Sequence, residues 1–181
     1  MERKFDFVEV TLDSNYEMVK EVYRLHKEQS RKIFDLSCGI QSDEDIMDYI
    51  KDKIQYEIVL LAIDIETGNY AGCVILEDVC MFGGKISKAN VHIVVNKKYW
   101  GKNSRKIIND CFEFVKENLK PIVRLEAFVP SNNYGIIKLL KDVGFKVEGT
   151  LKKRLVFNNK NNIPTYYNEL VYSKILGDDN G

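Results

Sequence analysis

One segment of this chain cannot be laid down as a simple up-and-down sheet. NVHIVV (Asn90–Val95) has the pattern of a buried strand, and KKYWGKNSRKII (Lys97–Ile108) follows it with a glycine and a polar, basic run that opens a helix. Ile107, Ile108, Cys111, Phe112, Val115 and Leu119 fall on one face of that helix, Pro121 stops it, and IVRLEAFV (Ile122–Val129) is a strand again. A strand, a crossover helix and a second strand lie parallel in one sheet with a right-handed connection. Everything else in the chain has to be arranged around that unit.

The flanking segments read as antiparallel structure and helices. Phe5–Leu12 alternates apolar and polar residues as a strand does. Ser14 or Asn15 can cap a helix running to about Gln29, and after a loop over Asp35–Gln41, Ser42 and Asp43 start a second helix. EIVLLAIDIE (Glu57–Glu66) turns at Thr67-Gly68-Asn69 into YAGCVILEDVCMF as a hairpin, and Gly83-Gly84 turns the chain towards Asn90. Pro130 and Ser131-Asn132-Asn133 open a further helix that Gly144 closes, and two antiparallel strands follow, joined by the asparagine-rich turn NNKNNIPT. The expected class is α+β: a mixed, mostly antiparallel seven-stranded sheet flanked by helices, in one domain over 1–181, with GDDNG expected to be a disordered tail.

Composition narrows the function. Of 181 residues, 45% are hydrophobic and 30% charged, as in a globular protein. The 27 basic side chains balance 27 acidic ones, which disfavours nucleic acid and anionic membranes as partners and makes any anion site local. Cys38, Cys73, Cys80 and Cys111 are scattered, with no CxxC pair and no nearby histidine at ligand spacing; they read as reduced, small hydrophobes, with no metal site. MERKFDFVEV lacks the apolar core of a signal peptide, and no apolar run reaches the ~20 residues needed to span a bilayer. A cytoplasmic location is expected.

The strand-to-helix junction is the candidate anion site. A helix N-terminus presents unpaired N–H groups and a partial positive charge. Gly101 can bring the backbone close to a ligand, and Asn103 and Ser104 can either cap the helix or donate to phosphate oxygens. Lys97, Lys98, Lys102, Arg105 and Lys106 add positive charge with no acid among them.

NVHIVVNKKYWGKNSRKII resembles the strand, pyrophosphate loop and helix of the GNAT superfamily of acyl-CoA-dependent N-acetyltransferases. It is most similar to the branch of ribosomal-protein N-terminal and spermidine acetyltransferases, whose loop reads YWGKG; Tyr99, Trp100, Gly101 and Lys102 match. NNYGIIKLLKDVGFKVEGTL (Asn132–Leu151) is similar to that family's NxxSxxxLxxxGFxxEG through Asn133, Leu140, Gly144, Phe145, Glu148 and Gly149, and YYNELVYSKIL resembles its closing hairpin. The resemblance covers about Asn90 to Leu176.

It implies that acetyl-CoA sits in the V between two splayed parallel strands, with no metal. Ile93, Val94 and Val95 would pair with the pantetheine arm. Trp100, Gly101, Lys102, Asn103, Ser104 and Arg105 would surround the pyrophosphate, Asn133 would touch the cofactor from the next helix, and a backbone N–H near Val94 would meet the developing oxyanion. A primary amine, on a protein N-terminus, a polyamine or another small molecule, would attack the thioester directly. The chain departs from the pattern where Asn103 replaces a second loop glycine, Leu140 stands where many members carry a proton-donating tyrosine, and Asn90 falls near the place of a strand glutamate. His92, Glu126 and Tyr134 are the candidate acid and base groups that remain. Each also has a structural reading: His92 as a packed strand histidine, Glu126 as a cross-strand partner of a lysine, and Tyr134 as a surface residue. His26 reads as structural. Asp35, Asp43, Glu44 and Asp45 either attract a cationic amine or serve as helix-start carboxylates. A homodimer and a GNAT-fold module that binds CoA or a protein without catalysis are both compatible with the sequence.

Overall fold

The structure is a computed structural model and describes residues 3–33, 40, 42–82, 85–119, 122–158, 161 and 163–176. The strands are β1 (Phe5–Glu9), β2 (Ile58–Asp64), β3 (Tyr70–Phe82), β4 (Lys85–Val95), β5 (Ile122–Pro130), β6 (Lys146–Asn158) and β7 (Pro164–Ile175). The helices are α1 (Tyr16–Ile33), α2 (Asp43–Tyr56), α3 (Lys102–Asn118) and α4 (Tyr134–Asp142), with one 3-10 turn at Lys97–Tyr99 before α3. The seven strands form one sheet in the order β1-β2-β3-β4-β5-β7-β6. Only β4 and β5 are parallel among these pairs. That is the expected mixed sheet with its single crossover.

Helices cover both faces, so the central strands are apolar on both sides. Leu60, Ala62, Val74 and Leu76 face α3 and α4 in one core cluster, and Val59, Leu61, Cys73 and Ile75 face α1 and α2 in the other. Burial raises the thiol pKa of Cys73, and that of Cys111 to about 12, so both stay neutral packing groups. Asp110 on α3 locks the edge of the sheet in place: its Oδ2 accepts the main-chain N–H groups of Lys4 and Phe5 at 3.0 and 3.1 Å, and its Oδ1 accepts from Lys106 Nζ at 2.7 Å.

Local chemistry sets most element ends. Asn15 Oδ1 accepts the Glu17 N–H at the start of α1. Ser42 and Asp45 form a reciprocal capping box at the start of α2, so Asp45 is a helix-start carboxylate, while Asp43 pairs with Lys27 of α1. Asn133 caps α4 and Gly144, at φ 91°, ends it.

Three boundaries differ most from the sequence reading: β1 ends at Glu9 rather than Leu12, and two others lie in α1 and β4. Helix α1 continues to Ile33 rather than ending near Gln29, and β4 begins at Lys85 rather than Asn90. The first half of β4, KISKA, has too few apolar residues to show a strand period, and its pairing with β3 and β5 supplies what the pattern lacks. Asp35 and Cys38, the Gly83-Gly84 turn, Pro121, parts of the asparagine-rich turn and the GDDNG tail lie outside the described residues. No helix among the described residues is long and apolar enough to cross a membrane.

Candidate functional site

The site begins where two parallel strands separate. Strands β4 and β5 are paired from Ile86/Ile122 to Asn90/Glu126 and no further. Beyond that point β5 continues along β7, through Ala127/Tyr172 to Pro130/Glu169, while β4 continues along β3. A bulge in β3 sits beside the branch: the register slips between Glu77 and Cys80, Asp78 adopts φ 50°, and Asp78 Oδ2 accepts from Asn90 Nδ2 at 2.7 Å.

The backbone alternation of β4 decides what this gap exposes. Asn96 donates its N–H to Ala71 of β3 at 2.9 Å, so the even-numbered residues of β4 turn their main chain to β3. Val91, Ile93 and Val95 therefore turn theirs towards the gap. The Val95 carbonyl accepts from Trp100 Nε1 at 3.0 Å and from Gln29 Nε2 at 2.6 Å, which brings the loop before α3 and the helix α1 together on one oxygen.

A cleft of about 850 Å³ fills the gap. Ile93, Val95, Trp100, Gly101, Lys102, Ser104, Arg105 and Asn133 line it, and Tyr134 lines it at the first turn of α4. The sequence reading did not pick out Gln29, Lys138, Asp142, Phe157 or Tyr167, which also form the wall. Lys138 and Asp142 lie on α4 beyond Tyr134, and Gln29, Phe157 and Tyr167 come from three further elements, α1, β6 and β7.

Two expected cofactor residues are not on this wall. Val94 pairs with Cys73 and packs its side chain, 1% exposed, into the α1/α2 core cluster, so neither its N–H nor its side chain turns to the gap. Asn103, half-buried in the first turn of α3, is not among the residues that line the cleft.

The start of α3 differs from the expected cap. Gly101, not Asn103, is the N-cap residue; it sits at φ 86°, ψ −125°, and no side chain caps the helix. A β-carbon at Gly101 would meet no heavy atom within 4 Å, so the constraint on this position is the backbone conformation itself. Ser104 donates its hydroxyl hydrogen back to the Tyr99 carbonyl at 3.1 Å and holds the preceding turn. Among the described residues, no side-chain cap bonds the start of α3, where a helix has unpaired N–H groups.

The basic run divides. Lys106 is held by Asp110, Arg105 approaches Asp142 at 3.6 Å, and Lys97 and Lys98 lie outside the cleft wall. Lys102, Arg105 and Lys138 are the cations of the wall, against one carboxylate among its described residues, Asp142. This end of the cleft suits an anion.

The three candidate proton-transfer residues separate in space. Tyr134 is 78% exposed on the cleft wall. Glu126, at the branch point, binds Lys88 Nζ at 2.7 Å and Arg124 Nε at 2.8 Å; burial works to raise its pKa, but the two cations outweigh that and hold it below the usual carboxylate range. The ring of His92 is half-buried on the α1/α2 side, stacked on His26 with centroids 5.4 Å apart. Burial is the main force that pushes its pKa down to about 4, and nearby Lys53 acts in the same direction. His26 is fully buried, with Nδ1 2.8 Å from the Val22 carbonyl. Neither Glu126 nor His92 lines the cleft. Leu140 is buried in the core, so the position at which the resemblance would place a tyrosine is not on the wall. Among the described residues, no group of three or more His, Cys, Asp or Glu side chains is arranged to hold a metal ion.

Solved structures that share this architecture include acetyltransferases. Spermidine N-acetyltransferase from Vibrio cholerae, in complex with CoA and spermine, matches with a TM-score of 0.70 at 16% identity, over 95% of this chain and 95% of that one. Ribosomal-protein-S5-alanine acetyltransferase from Vibrio fischeri matches with a TM-score of 0.70 at 17% identity, over 98% of this chain and 96% of that one. An acetyltransferase of the GNAT family from Streptococcus pneumoniae matches with a TM-score of 0.64 at 18% identity, over 96% of this chain and 99% of that one. No protein-family model and no curated protein matches the sequence. At these identities the likeness is one of fold.

Proposed function

On the footing of the GNAT fold that this chain has, we propose that it transfers an acetyl group from acetyl-CoA to a primary amine. The observation that carries the reading is the branch after Asn90 and Glu126, which leaves the main chain of Ile93 facing a cleft that ends on the uncapped start of α3. An extended amide-bearing arm pairs with such a strand edge as an added strand, and a pyrophosphate suits such a helix start. The cleft volume of about 850 Å³ also lies within the range of cofactor sites.

The residues present fit acetyl-CoA. Ile93 and Val95 offer main-chain groups to the pantetheine arm, with the Val95 carbonyl already engaged by Trp100 and Gln29. The N–H groups from Lys102 to Arg105 take the pyrophosphate, Lys102, Arg105 and Lys138 offset its charge, and Asn133 flanks it from α4. Bound there, acetyl-CoA supplies an activated thioester to an amine nucleophile. The exchange balances without a further reactant: the amine gains the acetyl group and loses one proton, and the CoA sulfur keeps the bonding pair and gains one. Of the two tyrosines on the wall, the reading assigns to Tyr134, beside Asn133 at the start of α4, the hydroxyl that hands a proton to that sulfur. Glu126 stays a carboxylate bound to its two cations, and His92 stays neutral near pH 7; the reading assigns both to the architecture of the branch rather than to the wall.

That engagement of Glu126 and His92 is also what favours a second reading, a module that binds CoA without transfer. Thermal unfolding and free-thiol release with acetyl-CoA and a panel of amines separate the two. Stabilisation by acetyl-CoA together with amine-dependent thiol release is the expected result. Stabilisation without release from any amine selects the binding module, and no stabilisation at all overturns both.

A further inference from the structure

We infer that the acceptor is a primary amine carried beside an aromatic ring, and that Phe157 and Tyr167 receive that ring; this rests on the transferase reading above. The argument starts from the alternation along β7. Tyr172 packs in the α3/α4 core cluster, and Lys174 reaches the Val143 carbonyl at the end of α4 and lies over the Phe112 ring, so even-numbered residues of β7 face α3 and α4. Tyr167 is odd and faces the other layer. It stands opposite Leu155 on β6, and Phe157, two residues further, shares that face; the two rings meet edge to face with centroids 5.9 Å apart.

On that same side Gln29 extends from α1 to the Val95 carbonyl. The cleft therefore passes through the gap in the sheet and has two unlike ends. Lys102, Arg105 and Lys138 mark the end on α3 and α4, and the Phe157–Tyr167 pair marks the end towards α1. A polyamine needs carboxylates for its several ammonium groups. The one carboxylate among the described wall residues, Asp142, sits at the cationic end against Arg105, and no described wall residue at the aromatic end carries one. A single amine beside a ring meets this chemistry instead: the ring adds to an aromatic pair that already holds its geometry, and the amine points back along the cleft towards the strand edge.

The test compares 2-phenylethylamine with spermidine as acceptors for acetyl-CoA by thiol release, alongside thermal unfolding with acetyl-CoA alone. A kcat/KM for 2-phenylethylamine at least about tenfold above that for spermidine is expected. Tyr167→Ala should raise the KM for 2-phenylethylamine about tenfold, the upper range of one aromatic contact, and leave the KM for acetyl-CoA unchanged. Tyr167→Phe should retain the low KM, and Phe157→Leu gives a second reading of the same subsite if Tyr167→Ala does not fold. A preference for spermidine, or a KM for 2-phenylethylamine unmoved in a folded Tyr167→Ala protein, overturns the aromatic subsite. Stabilisation by acetyl-CoA with release to neither amine also overturns it while the cofactor site stands; absence of stabilisation instead brings down the transferase reading beneath it.

Discussion

Trp100 and Gln29 donate to one main-chain oxygen, the carbonyl of Val95, at 3.0 and 2.6 Å. The last residue of β4 is thereby tied both to the loop that starts α3 and to the helix α1. Trp100→Phe keeps a ring on the cleft wall and removes the indole donor, but Gln29 still satisfies the carbonyl. We expect a stability loss of only about 0.5–1 kcal/mol, a melting temperature lower by roughly 2–4 °C. The double variant Trp100→Phe/Gln29→Leu leaves the oxygen without either donor and should cost more than the two single changes combined, which a double-mutant cycle by urea unfolding measures.

Two glycines near the cleft are held for opposite reasons, and alanine distinguishes them. At Gly101 nothing lies within 4 Å of a new β-carbon, so the penalty is conformational, about 1–3 kcal/mol for φ 86°, and it falls on the start of α3. At Gly72 a β-carbon would come to 2.7 Å from the Val94 carbonyl oxygen and 3.3 Å from the Val95 Cα, so the neighbouring strand must move. Calorimetric titration with CoA should show weakened binding in both. Crystal structures of the variants should show a displaced β4 in Gly72→Ala alone.

Asp110 offers a stability test remote from the cleft. It is 3% exposed and takes the N–H groups of Lys4 and Phe5, at the start of β1, and the Lys106 ammonium. Asp110→Ala removes the acceptor of two main-chain donors and one carboxylate partner of Lys106, and a loss of roughly 2–4 kcal/mol in chemical denaturation is expected. An unchanged midpoint would contradict this assignment.

The histidine pair predicts how stability responds to acid. Burial lowers the pKa of His26 to about 3, helped by His92, and that of His92 to about 4, whereas the unfolded value is near 6.5. The groups facing the pair are Lys53, which lowers His92 further, and Glu77, which opposes the shift at His26. Below pH 6.5 the unfolded chain binds protons that the folded chain refuses. Stability is therefore full above about pH 6.5 and declines as pH falls towards 4 and 3. Urea midpoints between pH 8 and pH 4 should follow that slope, and His92→Phe should flatten it.

Much of the fold was legible along the chain because its signals are local. The 3.6-residue period from Ile107 to Val115, the capping residues Asn15, Ser42 and Asn133, and Gly144 after α4 each act within a few residues, and each appears where expected. Gly101 was legible for the same reason. Of the two roles open to Asn103, capping α3 or donating to a phosphate, the first is excluded because Gly101 occupies the N-cap position at φ 86°. KISKA was missed because its strand character comes from partners on either side.

What the amino-acid sequence determined by itself is therefore the set of elements, the parallel crossover and the loop that opens α3. Tertiary structure alone decided which groups share the cleft. Val94 and Ile93 are adjacent in sequence, yet the pleat turns one main chain to β3 and the other to the gap, and only pairing with β3 fixes which. Gln29, Phe157 and Tyr167 come from a helix and a hairpin far apart in the chain, and no local pattern joins them. They meet because β4 and β5 part after Asn90 and Glu126, and a gap between strands belongs to the sheet rather than to any one segment.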